Sequence, residues 1–255
     1  MNPKFIKSTV TAAAVLFFTN TVLPSMAVAQ EGRTQAPPVA MVNATAPPPM
    51  NQKGKTIVVL FDITGSYVDT LLNGDYYERA INTAVANVVN NVEPGSLVRV
   101  SIIGHSHSDV TESFDHLKAK EWVVSKNRYP KEKIGGFVRA WLNEVIADLR
   151  SGKVKKENNT AVIQALDRAS EIVRMQGQPA VIIAISDMDE TELGYPLPNP
   201  YRPGLLKGSK LIAVGGGVTL REGTKAERDL RRAWEKHLTM TGIDVASGFT
   251  WLPNP

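Results

Sequence analysis

The chain contains no cysteine among its 255 residues. It therefore has no disulfide bonds and no thiolate that could bind zinc or act as a nucleophile. A bacterial lipoprotein anchor is also excluded, because that anchor requires a cysteine directly after the signal sequence. No Ser–His, Cys–His or paired-carboxylate arrangement typical of an enzyme is recognisable, and the sequence has no internal repeat. We therefore expect a protein that is not an enzyme.

Residues 1–29 resemble a secretory signal. Lys4 and Lys7 precede an apolar stretch at residues 10–23, and Ala-Val-Ala at 27–29 fits a signal-peptidase site. The apolar stretch is interrupted by polar residues and is short for a membrane-spanning helix. We therefore predict that the signal is cleaved, that no integral membrane segment remains, and that the protein is exported to the periplasm or secreted.

The remainder of the chain has nearly balanced charge. Removing Lys4 and Lys7 leaves 27 of the 29 basic side chains against 25 acidic ones, so we expect no nucleic-acid partner. Residues 30–53 are rich in proline and alanine and lack a periodic apolar face, which is typical of an extended or disordered tether. Residues 54–255 then form one domain.

The apolar run at residues 56–61 ends in Asp62, and two hydroxyls follow at Thr64 and Ser66. Such a run is typical of a strand buried on both faces of a parallel sheet. Open α/β sheets bind ligands at the carboxyl ends of their strands. A set of oxygens there suits a hard divalent cation. The alternative is that Asp62 and Ser66 only cap a helix.

Two later segments extend this set of oxygens. Thr160 precedes a helical pattern with apolar residues at 162, 166, 169 and 173, and a second apolar run at 180–185 ends in Ser186-Asp187. The carboxyl ends of parallel strands meet at one edge of a sheet. The five candidate metal residues are Asp62, Thr64, Ser66, Thr160 and Asp187.

In order and spacing, these five residues resemble the metal-ion-dependent adhesion site of von Willebrand factor type A (vWA) domains. In that family Asp-x-Ser-x-Ser, a later Thr and a later Asp surround one divalent cation. The resemblance covers roughly residues 54–252 and implies a vWA domain that binds Mg²⁺ or Mn²⁺, with Ca²⁺ as a third candidate. Together with the signal-like residues 1–29, it indicates an exported, bacterial-type protein. The chain departs from the family at three positions. Thr64 replaces the commoner serine, Asn159 stands where the family often has glycine, and Met188 stands where the family usually has glycine.

The remaining segments alternate between strands and helices. This alternation predicts an α/β, Rossmann-like vWA fold with a mainly parallel central sheet, one antiparallel edge strand and helices on both faces. Further strands are predicted at 97–103, 110–114, 211–214 and 248–252. Helical faces are predicted at Tyr77, Ile81, Val85 and Val88, over residues 134–149, and at Ala226, Leu230, Trp234 and Leu238.

A loop rich in proline and tyrosine follows the second carboxylate. Asp189 and Glu190 add two acids, and Tyr195 and Tyr201 lie among prolines. Prolines order a loop in advance, and tyrosines give a large contact area at low entropic cost. We therefore predict that these four residues form a partner-binding rim beside the metal site.

Two short motifs carry weaker signals. His105-x-His107 is either a transition-metal site or a solvated turn. The three glycines at 215–217 follow a late strand without the spacing of a phosphate-binding loop, so a backbone turn is the better interpretation.

These features favour an extracytoplasmic, metal-dependent protein-binding module for adhesion or assembly. The cation would accept a carboxylate oxygen from an Asp or Glu of the partner protein. One alternative is a metal-assisted hydrolase that uses metal-bound water. Another is a structural component of an assembly, in which the metal only stabilises the fold.

Overall fold

The computed structural model describes residues 54–104, 119–124 and 131–255. In these residues six strands form one sheet with the order β3-β2-β1-β4-β5-β6. Neighbouring strands are parallel except for β2 and β3, which are antiparallel. The strands are β1 (Thr56–Asp62), β2 (Leu97–Ile103), β3 (Lys120–Val123), β4 (Ala180–Ile185), β5 (Lys210–Val214) and β6 (Phe249–Leu252).

Helices cover both faces of the sheet because the central strands are apolar on both sides. Ile57, Val59 and Phe61 of β1 face a core with the first three helices, and Val58 and Leu60 face a second core with the next two. The helices are α1 (Gly65–Leu71), α2 (Tyr76–Asn91), α3 (Lys131–Arg150), α4 (Val162–Gln176), α5 (Lys225–Thr241) and the short α6 (Val245–Gly248).

The predicted fold class is confirmed: the protein has a mainly parallel sheet, one antiparallel edge strand and helices on both faces. The strand expected at 110–114 lies outside the described residues, and the antiparallel strand shown is Lys120–Val123. The signal at 1–29, the tether at 30–53 and the His105/His107 motif also lie outside them. Among the described helices, none is long and apolar enough to cross a membrane.

One residue of a predicted helical face was assigned wrongly. Ala226 was expected on the buried side of α5, but it is exposed, whereas the neighbouring Glu227 is buried. Glu227 is buried because its carboxylate accepts a hydrogen bond of 3.0 Å from the indole N–H of Trp251. Leu230, Trp234 and Leu238 are buried as predicted, so the difference is confined to the first turn of α5.

The order in which the chain adds strands to the sheet reverses at β1. From β1 the chain adds β2 and β3 on one side, and then returns to add β4, β5 and β6 on the other. A crevice at the carboxyl ends of the strands is expected at such a reversal, and ligands bind there in sheets of this kind. Asp62 ends β1, and Asp187 follows β4.

Candidate metal centre

Asp62 is buried at the end of β1 and organises the turn that follows it. Its Oδ1 accepts hydrogen bonds from the backbone N–H of Thr64 (2.9 Å) and from the Thr64 hydroxyl (2.6 Å). Its Oδ2 accepts one from the Ser186 hydroxyl (2.6 Å), which comes from the end of β4. The carboxylate therefore ties the ends of two neighbouring strands together.

Thr160 joins the same cluster from the segment before α4. Its hydroxyl donates to Thr64 Oγ1 at 2.9 Å. Its backbone N–H donates to the Thr191 hydroxyl (2.7 Å), and its carbonyl accepts from the Thr191 N–H (3.2 Å). The loop after β4 thus fixes Thr160 against the turn after β1.

Asp187 is the second buried carboxylate of the site. Its Oδ1 accepts a hydrogen bond of 3.1 Å from the Asp189 N–H. Its buried Oδ2 has no hydrogen-bond partner within the part of the chain that the structure describes. Thr219 faces this carboxyl and lowers its pKa, but it makes no hydrogen bond of ordinary geometry to Oδ2.

Both carboxyl groups have raised pKa values. Burial raises the pKa of Asp187 to about 7, and the charge of Asp62 adds to that rise. Burial also raises the pKa of Asp62 to about 6, although the hydrogen bonds from Ser186 and Thr64 oppose the shift. With both groups ionised, two like charges lie together in a site closed to water.

These residues fit a divalent cation. The described residues contain no group of three or more acidic or histidine side chains suited to a metal, so a cation here would depend on two carboxylates and on hydroxyls. That set is all oxygen, and Mg²⁺ and Mn²⁺ prefer oxygen ligands. Asp187 Oδ2 is a buried acceptor still lacking a partner. Asp62, Thr64, Ser66, Thr160 and Asp187 would hold the cation, which would act as a Lewis acid toward one further oxygen.

Ser66 differs from the other four candidate metal residues. It is exposed in the first turn of α1, whereas the other four side chains are at most 1% exposed. No hydrogen bond among the described residues joins its hydroxyl to Asp62 or to Thr160. Hydrogen bonds therefore join Asp62, Thr64 and Thr160. Asp187 is buried close enough for the charge of Asp62 to raise its pKa, and Ser66 lies at the exposed edge of the site.

Glu190 is buried, and its carboxylate caps helix α4. Its Oε2 accepts from the Ile163 N–H at 2.8 Å, and its Oε1 accepts from the Leu193 N–H at 3.1 Å. A negative charge is favourable at a helix N-terminus, where backbone N–H groups lack partners. The carboxylate predicted for the partner-binding rim is thus directed at the backbone and away from solvent, while Asp189 is half-buried.

The two predicted rim tyrosines have different surroundings. Tyr201 is 82% exposed. Tyr195 is 47% exposed, and its hydroxyl accepts a hydrogen bond from the Glu190 N–H (3.1 Å) and donates one to the Met188 carbonyl (3.4 Å). Tyr201 is therefore free to meet a partner, whereas Tyr195 also supports the turn after β4.

Met188 adopts a backbone conformation that normally requires glycine. Its φ is 63°, in the left-handed region, and its side chain is fully buried. The Met188 N–H donates to the Ser186 hydroxyl (2.9 Å), and its carbonyl accepts from the indole N–H of Trp234 (2.6 Å). The tight turn beside Asp187 is therefore present despite the absence of glycine, held by hydrogen bonds and by packing of the methionine.

Substitutions at Met188 should separate backbone strain from packing. Met188→Ala should destabilise the fold by about 2–5 kcal/mol, because it removes a buried side chain and keeps the strain. Met188→Gly should be about 1 kcal/mol more stable than Met188→Ala, because glycine relieves the left-handed strain. Urea unfolding in chelator would measure both variants. An alanine variant as stable as the glycine variant would contradict the strained backbone.

Sequence reasoning missed Ser186 as a residue of this site. Its hydroxyl donates to Asp62 Oδ2 and accepts from the Met188 N–H. A signal was available, because Ser186 lies between the buried run of β4 and Asp187. The glycines at 215–217 form a turn, as predicted. A Cβ on Gly216 would lie 2.8 Å from the ring of Trp251.

Comparison with known proteins adds little. No family model and no curated protein matches the chain. Among solved structures, the human COPII-coat protein Sec24c is similar over 78% of this chain and 29% of its own, with 11% identity and a TM-score of 0.36. Proximal thread matrix protein 1 from the mussel byssus is similar over 74% of this chain and 46% of its own, with 15% identity and a TM-score of 0.35. The chain thus spans less than half of either protein.

Proposed function

We propose that this chain is a divalent-cation-dependent protein-binding module that acts outside the cytoplasm. The observation that carries the proposal is the buried Asp187 Oδ2, which has no partner among the described residues although it lies in a cluster with a second buried carboxylate. A cation at this point would neutralise both acids. It would be held by Asp62, Thr64, Ser66, Thr160 and Asp187, the set that resembles the vWA adhesion site.

A partner protein would approach the site where its residues are exposed to solvent. Ser66 and Tyr195 are exposed beside the cluster, and the Tyr195 hydroxyl contacts the turn after Asp187. A partner's Asp or Glu would supply the oxygen that completes the coordination of the cation. The tyrosines of the loop would add contact area around it. The export part of the proposal depends on the signal-like residues 1–29.

A capture experiment tests the proposal. The tagged protein is incubated with an extracytoplasmic fraction in Mg²⁺, in chelator, and in chelator followed by excess Mg²⁺. We expect one partner to be retained in Mg²⁺, lost in chelator and regained on reversal, since only the cation differs. The partner is then identified by mass, and its contacting Asp or Glu is changed to Asn or Gln. Retention that is equal in chelator would contradict the proposal.

One observation favours a second candidate function. Asp62, Thr64, Thr160 and Asp187 are each at most 1% exposed, so a cation among them could be enclosed by the protein. In that case the metal would stabilise an assembly component without touching a partner. Chelation would then lower the melting temperature, yet the folded protein would retain its partner at temperatures below the transition.

A further inference from the structure

Two buried tyrosines lie near the candidate metal centre. They are neither among its five candidate metal residues nor in the proline- and tyrosine-rich loop after β4. Tyr67 of α1 is fully buried, and Tyr76, the first residue of α2, is 6% exposed. Their hydroxyls meet at Gly215, where a Cβ would lie 2.7 Å from Tyr76 Oη and 3.0 Å from Tyr67 Oη. We call these two residues the tyrosine pair. Glycine at 215 leaves space for both hydroxyls.

The hydroxyls of the tyrosine pair are poorly satisfied. Tyr76 Oη is buried and faces the Tyr67 hydroxyl, but it makes no hydrogen bond of ordinary geometry within the described ranges. Tyr67 Oη donates one hydrogen bond, to the Val214 carbonyl, and at 3.5 Å that bond is longer than is usual for O–H···O. Buried polar groups are nearly always hydrogen-bonded, so a buried Tyr76 hydroxyl without a well-formed hydrogen bond calls for an explanation.

The tyrosine pair adjoins the Asp187 segment through the end of β5. The Val214 carbonyl that faces Tyr67 also accepts from the Ser186 N–H at 3.1 Å, and the Gly217 N–H donates to the Asp187 carbonyl at 2.8 Å. After burial, which is the larger cause, the charge of Asp187 contributes to the raised pKa of both tyrosines. The tyrosine pair and the Asp187 segment thus meet at the end of β5.

We propose that the tyrosine pair positions the Asp187 carboxylate for the cation, by binding a water that also hydrogen-bonds to Asp187 Oδ2. Water can donate to a carboxylate and also bond to hydroxyls, and buried waters typically satisfy about three such groups. Groups behind the ligands of a metal orient those ligands and commonly change metal affinity by 10–100-fold. This inference depends on the cation binding described under the proposed function.

The variant Tyr76→Phe tests the inference, because it removes the hydroxyl and keeps the ring. In chelator its melting temperature should equal or exceed that of the wild type, since the lost hydroxyl makes no well-formed hydrogen bond in the described residues. Its Mg²⁺ affinity, measured by calorimetric titration, should fall about tenfold. Tyr67→Phe should weaken Mg²⁺ binding in the same direction. Tyr77→Phe is the matched control, because its hydroxyl bonds to the exposed Glu78.

The outcomes distinguish a failure of the tyrosine inference from a failure of the metal binding in the proposed function. A wild-type protein that does not bind Mg²⁺ would overturn the metal in the proposed function, and the tyrosine inference with it. If the wild type binds Mg²⁺ and Tyr76→Phe and Tyr67→Phe match Tyr77→Phe in affinity, the tyrosine inference alone is overturned. Lower stability in chelator with unchanged Mg²⁺ affinity would also overturn it, since the hydroxyls would then serve only the fold.

Discussion

Millimolar Mg²⁺ should raise the melting temperature of the wild-type protein by several degrees, and Asp187→Asn should abolish that rise. A ligand that binds only the folded state stabilises it by about 2.7 kcal/mol at a hundred times its Kd. For a domain of this size, each kcal/mol corresponds to roughly 2–4 °C. Mn²⁺ should act in the same way. Thermal unfolding followed by circular dichroism, with and without chelator, measures the effect.

Asp187 is a better target than Asp62 because the two carboxylates have different partners. Asp62 accepts three hydrogen bonds, from the Thr64 N–H, the Thr64 hydroxyl and the Ser186 hydroxyl. Asp62→Ala leaves those donors without their acceptor and should cost about 1–3 kcal/mol even without metal. Asp187→Asn keeps an oxygen acceptor for the Asp189 N–H and removes one of two neighbouring charges. In chelator it should therefore be as stable as the wild type or more so.

The same pair of carboxylates predicts how the metal effect depends on pH. In chelator, the pKa values of Asp62 (about 6) and Asp187 (about 7) lie above the ordinary 3.8. The folded state then binds more protons than the unfolded state, so stability falls as the pH rises from about 4 to 7. A cation competes with those protons. The rise in melting temperature with Mg²⁺ should therefore be larger at pH 8 than at pH 5.

Asp69→Asn is the matched control for Asp187→Asn. It makes the same chemical change on α1, at an exposed side chain that pairs with Lys156. Its response to Mg²⁺ should equal that of the wild type. If neither Mg²⁺ nor Mn²⁺ shifts the wild-type melting curve at pH 8, the residues assigned to the metal centre are wrong.

The parts of the fold that sequence could predict are those where local pattern and tertiary structure agree. The predicted bounds 97–103 and 180–185 coincide with β2 and β4, because strands buried on both faces require continuous apolar runs. The helix predicted at 134–149 lies within α3 for a similar reason: its paired apolar residues repeat at the helical period. The prediction for Ala226 failed because the neighbouring Glu227 has a partner far away in sequence: its carboxylate accepts a hydrogen bond from the indole of Trp251, 24 positions later.

The residues of the candidate metal centre divide in the same way. Asp62, Thr64 and Asp187 could be proposed from the sequence because they lie at or just after the ends of buried strands. The tyrosine pair could not, because Tyr67 meets Val214 across 147 positions of sequence. Glu190 caps a helix that begins 28 residues earlier, and no local pattern signals such a cap. The conformation of Met188 was also hidden, since methionine gives no sign that a turn needs positive φ.

Partner capture should respond differently to changes in the metal centre and in the loop. Asp187→Asn and Thr160→Ala should reduce capture in Mg²⁺ to the level of wild type in chelator, because each removes an oxygen ligand or its support. Tyr201→Ala should lower partner affinity about thirtyfold, since losing an aromatic anchor commonly costs about 2 kcal/mol. It should leave Mg²⁺ affinity unchanged, because Tyr201 is 82% exposed. Surface-immobilised binding and calorimetry measure the two affinities separately.

Variants of Tyr195 can distinguish loss of partner contact from loss of Mg²⁺ affinity within one side chain. Its ring is 47% exposed, while its hydroxyl bonds to the turn that follows Asp187. Tyr195→Phe should therefore weaken Mg²⁺ binding more than direct partner contact, and Tyr195→Ala should weaken both. Phe137→Ala is the control for loss of an exposed aromatic ring, since that ring stacks on Trp122 of the edge strand β3. Undiminished capture by Asp187→Asn in chelator would reject metal-mediated recognition and favour a surface that binds without metal.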